Sequence, residues 1–208
     1  MSFRSVGRVL PTKGFLIRLR ERTQLLKSGV EALKMKRDQL VRESQELLEF
    51  LKTRSEVEKK LEEAYRMLKL AYTAAGPTEM RKAALLTMPL LTEIKVKSVI
   101  GVEVPEIEFK EFHLAASPSL EAVVIAAARK LAEAINELLP LINAEAKFER
   151  IAESLADTMR KVNALEKIII PDHEAAIKYI EEALEEDMLE EFLRVKKYRD
   201  IKRREEVV

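Results

Sequence analysis

Cysteine and tryptophan are missing from these 208 residues, glycine occurs five times, proline seven times, and aromatic residues make up 5%. Each shortage removes a class of protein. Without cysteine there is no disulfide framework and no thiolate metal site. With so few turn-forming residues, few separate elements can share the chain. With so few aromatics, a thick globular core is not expected. The longest wholly apolar run is Ala122–Ala128, far short of the ~20 residues a membrane-spanning helix needs. Residues 1–20 carry five Lys/Arg and no apolar signal-peptide core. The reading is of an intracellular, soluble chain. A net charge of +1 argues against a uniformly basic nucleic-acid binder.

Catalytic signatures are also absent. The glycines at 7, 14, 29, 76 and 101 are too dispersed for a G-x-x-x-x-G-K-[ST] phosphate loop. There is no H-E-x-x-H, and neither His113 nor His173 has a glutamate three residues before it, as di-iron helical bundles require. Glu181 with Glu185, and Glu182 with Glu186, form i,i+4 carboxylate pairs that read as a solvated or salt-bridged helix face. His173, after Pro171-Asp172, reads as a helix-surface residue rather than a proton switch. No catalytic residue, metal or cofactor is expected.

What is present is charge, 35% of the chain, and a heptad rhythm. From Pro11 to Ala74 no proline or glycine cluster interrupts the chain, and leucine recurs every seven residues at Leu19, Leu26, Leu33, Leu40 and Leu47. A companion row holds Leu16, Thr23, Val30, Arg37, Ser44 and Leu51. Such spacing keeps one stripe of a helix facing a partner helix, and its polar members cost stability while fixing register. Ala75-Gly76-Pro77 is a stop signal. A short helix is expected over 78–92. The period then changes to two in EIKVKSVIGVEVPEIEFKEF (93–112), which predicts a β-hairpin turning at Gly101, with Pro105 at an edge or strand end. Ser117-Pro118-Ser119 opens a second helical region, with a helix at about 119–139 and a run to about Arg204. Pro140 is a candidate break and Pro171 a kink. The second stripe includes Val162, Leu165, Ile169, Ile180, Leu184, Met188 and Phe192.

Neither stripe can be buried alone. The fold class expected is mainly α: a long antiparallel two-helix coiled coil of the N- and C-terminal helices, with a short helix and a β-hairpin in the middle. Residues 1–75 and 141–208 would form the coiled-coil shaft, and 76–140 a lower end. Charge supports antiparallel pairing. Residues 1–37 hold ten Lys/Arg and two acids, whereas 174–191 hold eight acids and one lysine. With residue 12 opposite 205, residues 174–191 would face 26–43. Residues 194–204 are basic again and would meet the basic amino-terminal end. Lys13, Arg18, Arg20, Arg22, Arg194, Lys196, Lys197, Arg199 and Lys202 would then form one positive tip. Either an external acidic partner or a solvated helix end accounts for such a tip.

Four segments resemble a known family. PTKGFLIRLRERTQLLKSGVEALKMKRDQL is similar to the opening helix of the central-stalk D subunit of archaeal and vacuolar-type rotary ATPases. The matches are Pro11, Thr12, Lys13, Gly29, Leu33, Lys34, Lys36, Arg37 and Asp38, while Ala32-Leu33 departs from the family's leucine pair. KVNALEKIIIP matches at Val162, Asn163, Ala164, Leu165, Glu166, Ile169, Ile170 and Pro171. EEFLRVKKYRDIKRR resembles the family's tail, and SVIGVEVPEIE its hairpin, at Gly101, Val102, Val104 and Pro105. The resemblance spans nearly the whole chain in order. It implies a non-catalytic rotor shaft inside a hexamer of catalytic A and B subunits. The implied partners lower down are the small F subunit and the funnel-like C subunit. The complex would translocate protons or sodium and lie in the cytoplasm, peripheral to the membrane. The alternative is a prefoldin-like coiled-coil chaperone, against which stands the basic rather than apolar character of the tip. A passive coiled-coil tether explains the heptads but not the hairpin.

Overall fold

The computed structural model describes residues 2–3, 6–87, 91–109 and 120–205. Pro89, residues 110–112 of the expected hairpin, His113 and the Ser117-Pro118-Ser119 start lie outside the described residues. In order come β1 (Ser2–Phe3), β2 (Gly7–Arg8), α1 (Lys13–Leu51), α2 (Arg54–Leu86), β3 (Thr92–Val99), β4 (Val102–Phe109) and α3 (Ala122–Ala164). A π-helical turn (Leu165–Ile169) and α4 (Ile170–Glu205) follow. Two compact units result, Met1–Arg37 with Asp157–Val208, and Asp38–Ala156. In each unit an N-terminal helical arm is packed antiparallel to a C-terminal one, and the β3–β4 hairpin falls in the chain between them, as the heptad rhythm and charge pattern predict.

Thr12 opens α1. Its hydroxyl accepts the Phe15 N–H at 3.3 Å and its carbonyl accepts the Leu16 N–H at 3.0 Å, so an N-cap oxygen answers one of the unpaired donors of the first turn. In the terminal unit the ion pairs Arg20–Glu181 (2.5 Å), Lys27–Glu174 (2.7 Å) and Lys34–Glu166 (2.8 Å) cross between the arms. They set direction rather than stability, since exposed pairs contribute about 0.2–1 kcal/mol each. Stability comes from the apolar seam. Val9, Leu19, Ala176 and Ile180 are buried together, with Phe15, Leu16, Ile177, Tyr179 and Leu184 packed around them. Full burial of a side chain such as Ile180 contributes about 1.5–3 kcal/mol.

The register differs from the one expected. Residue 174, expected opposite 43, lies opposite Lys27, a displacement of 16 residues. The expectation assumed that the two arms end together. They do not.

The uninterrupted first helix also needs correction. Leu19, Leu26, Leu33, Leu40 and Leu47 step by seven, and the buried residues Val57, Ala64 and Ala71 step by seven again. From Leu47 to Val57 the step is ten residues, one heptad plus three. An insertion of three overwinds a heptad helix. The structure shows the overwound turn, where Lys52 N–H donates to Glu49 C=O at 3.3 Å and Thr53 N–H to Phe50 C=O at 3.1 Å, both three residues back. The Thr53 hydroxyl also donates to Phe50 C=O at 2.8 Å, so the break needs neither proline nor glycine.

Pro140 is no break. Helix α3 runs through it, and Leu139, Leu141 and Ala144 are buried on either side. Their burial offsets the backbone hydrogen bond that the proline removes. Gly76 does interrupt α2, with φ 77° and ψ 171°, a region open essentially to glycine alone. The turn brings Ala83 onto Ala71, Leu120, Val124 and Ala127.

The π turn answers Pro171. A proline has no N–H for the carbonyl four residues back, and its ring clashes with that carbonyl. The Ile170 N–H reaches Leu165 C=O instead, five residues back, which inserts one residue into the helix. The inserted residue is visible across the seam: from Lys27 to Lys34 is seven residues, and from Glu166 to Glu174 is eight.

Candidate partner-binding surface

Of the residues expected to form the seam, Leu19, Leu40, Val162 and Ile180 are buried, and Leu26, Leu33, Leu47, Leu165, Ile169 and Leu184 are half-buried. The companion row contributes Val30 and Thr23 as buried members. Pro171 is the second residue of α4, directly after the π turn. His173 is not a surface residue. It is 2% exposed and its Nδ1 lies 3.3 Å from the Thr23 hydroxyl, because the inserted residue turns it inward to the seam.

The nine basic residues expected to form one tip fall into two groups. Arg20 is paired with Glu181 across the seam, Arg18 donates to Gly14 C=O at 3.3 Å, and Lys13 and Arg22 are exposed on α1. Arg194, Lys196, Lys197, Arg199 and Lys202 lie on α4, past the point where α1 begins, because Arg20 stands opposite Glu181 and α1 starts only seven residues earlier, at Lys13. The two groups are therefore not side by side.

Every described side chain from Glu185 to Arg203 is exposed. This stretch of α4 is apolar as well as basic. Met188, Leu189, Phe192, Leu193 and Val195 share one face at helical spacing, with Leu189 63% and Phe192 66% exposed. Lys196, Arg199 and Arg203 continue that face, while Glu190, Glu191 and Arg194 occupy the opposite one. The Arg194–Glu190 pair at 2.9 Å is local to the helix. A contiguous exposed face of this kind marks an interaction surface. Sequence reasoning found the charges and placed Met188 and Phe192 in the apolar stripe, but did not find their exposure. These residues continue the stripe of the paired region, and periodicity does not report where the partner helix stops.

The hairpin carries a second exposed apolar face. Strands β3 and β4 pair from Thr92↔Phe109 to Val99↔Val102. Ile94 and Val96 are 72% and 67% exposed, opposite Ile107 and Pro105. The other face holds the charged residues, where Lys95 pairs diagonally with Glu108 and Lys97 with Glu106. The hydrogen bond from Lys95 holds the Glu108 carboxyl below its ordinary pKa, and that to Glu106 raises Lys97 above the lysine value. Val104, on this charged face, is buried beside a cavity of about 240 Å³ lined by Leu47, Val99, Asn143 and Lys147. The Asn143 amide clips the outer edge of β4. Its Oδ1 accepts the Ile107 N–H at 2.8 Å and its Nδ2 donates to Ile107 C=O at 2.9 Å.

Among the described residues no group of His, Asp and Glu side chains is placed to hold a metal ion. Among them also, no helix is long and apolar enough to cross a membrane. Antiparallel helical arms in each unit, a β-hairpin between them in the chain and an exposed helical end that is both apolar and basic define a mainly α, helical-hairpin class of protein.

Its relatives identify which one. The family profile described as the D subunit of ATP synthase matches residues 15–200. The chain belongs to the ATP synthase D-subunit family. It is 38% identical over 197 residues to the A-type ATP synthase D subunit of Thermococcus gammatolerans, covering 91% of this chain and 92% of the relative. The A-type D subunit of Pyrococcus horikoshii is 35% identical over 202 residues, with 93% and 94% covered. The V-type ATP synthase D subunit of Thermus thermophilus is 33% identical over 196 residues, with 92% and 88% covered.

Proposed function

We propose that this chain is the non-catalytic rotor shaft of an A/V-type ATP synthase. In that role it transmits rotation between a catalytic hexamer of A and B subunits and a membrane ring that moves protons or sodium. Residues 1–75 and 141–208 act as the shaft and 76–140 as its lower end, where the F and C subunits bind. The chain works in the cytoplasm, peripheral to the membrane. The observation that carries this reading is the unpaired end of α4, exposed from Glu185 to Arg203 and both apolar and basic. It calls for a surrounding partner that offers apolar contact and negative charge. A seam of buried apolar side chains crossed by ion pairs suits torque transmission, because twisting one arm must carry the other.

Neutralising Arg18, Arg20, Lys196 and Lys197 together is expected to weaken hexamer binding and torque while the helical arms stay folded. Single-molecule rotation and hexamer titration read this directly. Unchanged affinity and unchanged ATP-driven rotation in the folded variant would overturn the role given to these side chains. The chaperone reading loses its sequence-level objection, since the end of α4 is apolar as well as basic. It is set aside on membership of the D-subunit family.

A further inference from the structure

We propose that the Thr23–His173 contact, beside the π turn, is a protonation-sensitive latch on the helical seam, closed when the imidazole is neutral and opened when it is charged. The inference stands apart from the rotor role and concerns a buried titratable group that role does not use.

Hydrogen-bond accounting fixes the closed state. The Thr23 hydroxyl has one hydrogen, and it goes to Leu19 C=O at 2.7 Å. Toward His173 Nδ1, at 3.3 Å, the hydroxyl can therefore only accept. Nδ1 carries the ring hydrogen, and the neutral ring keeps its lone pair on Nε2. Protonation would add a hydrogen at Nε2 and a full charge to a side chain that is 2% exposed, where an uncompensated charge is costly.

The charged groups facing the ring do not supply that compensation cleanly. On α1, Arg22 has the same sign as the imidazolium. On α4, Asp172 has the opposite sign. Two residues further along α4, Glu174 is already engaged with Lys27 of α1 at 2.7 Å. Burial, and then Arg22, hold the imidazole below its ordinary pKa, with Asp172 pulling the other way.

The position of the contact gives the latch its effect. The π turn, which ends four residues before His173, adds one residue to the C-terminal arm. Without that residue His173 would rotate by about 100° around its helix and leave the seam. Thr23 and His173 thus hold together only in the register with the bulge in place, and a buried polar pair that fits a single alignment specifies it.

For a base with a lowered folded pKa, the unfolded chain binds more protons in the window between the two pKa values. Stability is then complete above the ordinary histidine value and falls as pH drops through it. The limiting slope for one proton is about a tenfold loss in folding constant per pH unit.

The test uses the full-length chain carrying His113→Gln, which leaves His173 as its one histidine. Nitrogen-15 NMR of the imidazole from pH 8 to pH 5 is expected to show the Nδ1–H tautomer and a midpoint below the ordinary histidine value. Hydrogen exchange over 20–30 and 165–180, corrected for intrinsic rates, should lose protection between pH 7.5 and 5.5. His173→Gln in the same background should remove that pH dependence. A midpoint at or above the ordinary value, an Nε2–H tautomer, or an equal loss of protection in the glutamine variant would each overturn the proposal. The titration requires no substitution in the seam, so it decides the matter even if the glutamine variant does not fold.

Discussion

Replacing Ile180 by alanine should destabilise the terminal unit by about 3 kcal/mol, within the roughly 2–5 kcal/mol range for buried Ile→Ala, while replacing Phe192 by alanine should change stability by less than about 0.5 kcal/mol. The contrast follows from burial. Ile180 is 0% exposed and packs with Leu19 and Ala176, whereas Phe192 is 66% exposed. Three carbon groups leave the seam in Ile180→Ala, at about 0.8 kcal/mol each, and the cavity adds to that because neighbours relax only in part. For a chain of this length each kcal/mol moves the thermal midpoint by about 2–4 °C. Ile180→Ala is therefore expected to melt about 6–12 °C lower by circular dichroism. A substantial loss of stability in Phe192→Ala would refute the reasoning, because it would mean that the end of α4 is packed in the isolated chain. A negligible loss in Ile180→Ala would place the seam elsewhere.

Two further expectations concern the hairpin. Asn143→Leu removes both hydrogen bonds to Ile107 and should cost about 1–3 kcal/mol, with hydrogen exchange at the Ile107 amide accelerating while helical content is retained; an unaltered exchange rate would show that the clip does not hold the strand. Ile100 sits at φ 54° beside Gly101 at φ 69°, in a two-residue turn that favours asparagine, so Ile100→Asn should stabilise the hairpin by about 1 kcal/mol, measured by denaturant unfolding, and a loss of stability would show that the isoleucine side chain makes a contact worth more than the strain.

Much of the fold was legible because helices and strands write different periods. The leucine row, the alternation at 93–112 and the opposite charges of the two arms gave helices, hairpin and direction. What failed has physical reasons. The overwound turn at Lys52-Thr53 uses ordinary residues, and its trace is a three-residue shift in a repeat that changes from leucine to valine and alanine as it crosses. Pro140 looked like a break because one lost hydrogen bond is visible in the sequence, while the burial of Leu139, Leu141 and Ala144 that offsets it is not. The register slipped because long blocks of like charge match over many alignments, and only the apolar contacts of Leu19 with Ala176 and Ile180 select one. Of the surface on α4, charge was readable and exposure was not.

The end of α4 has a consequence for the life of the chain outside its complex. In proteins most helical stability comes from tertiary packing of one face, and helix ends fray without it. From Glu185 onward no described side chain is buried. In the free chain this stretch is held only by its own backbone and pairs local to the helix such as Arg194–Glu190, and docking must supply the ordering that packing supplies elsewhere. Its Arg194, Lys196, Lys197, Arg199, Lys202 and Arg203 are also cleavage points for a trypsin-like protease. An orphan chain should be trimmed back toward Arg194 while an assembled one stays whole, so the intact length of α4 records whether a chain found its complex.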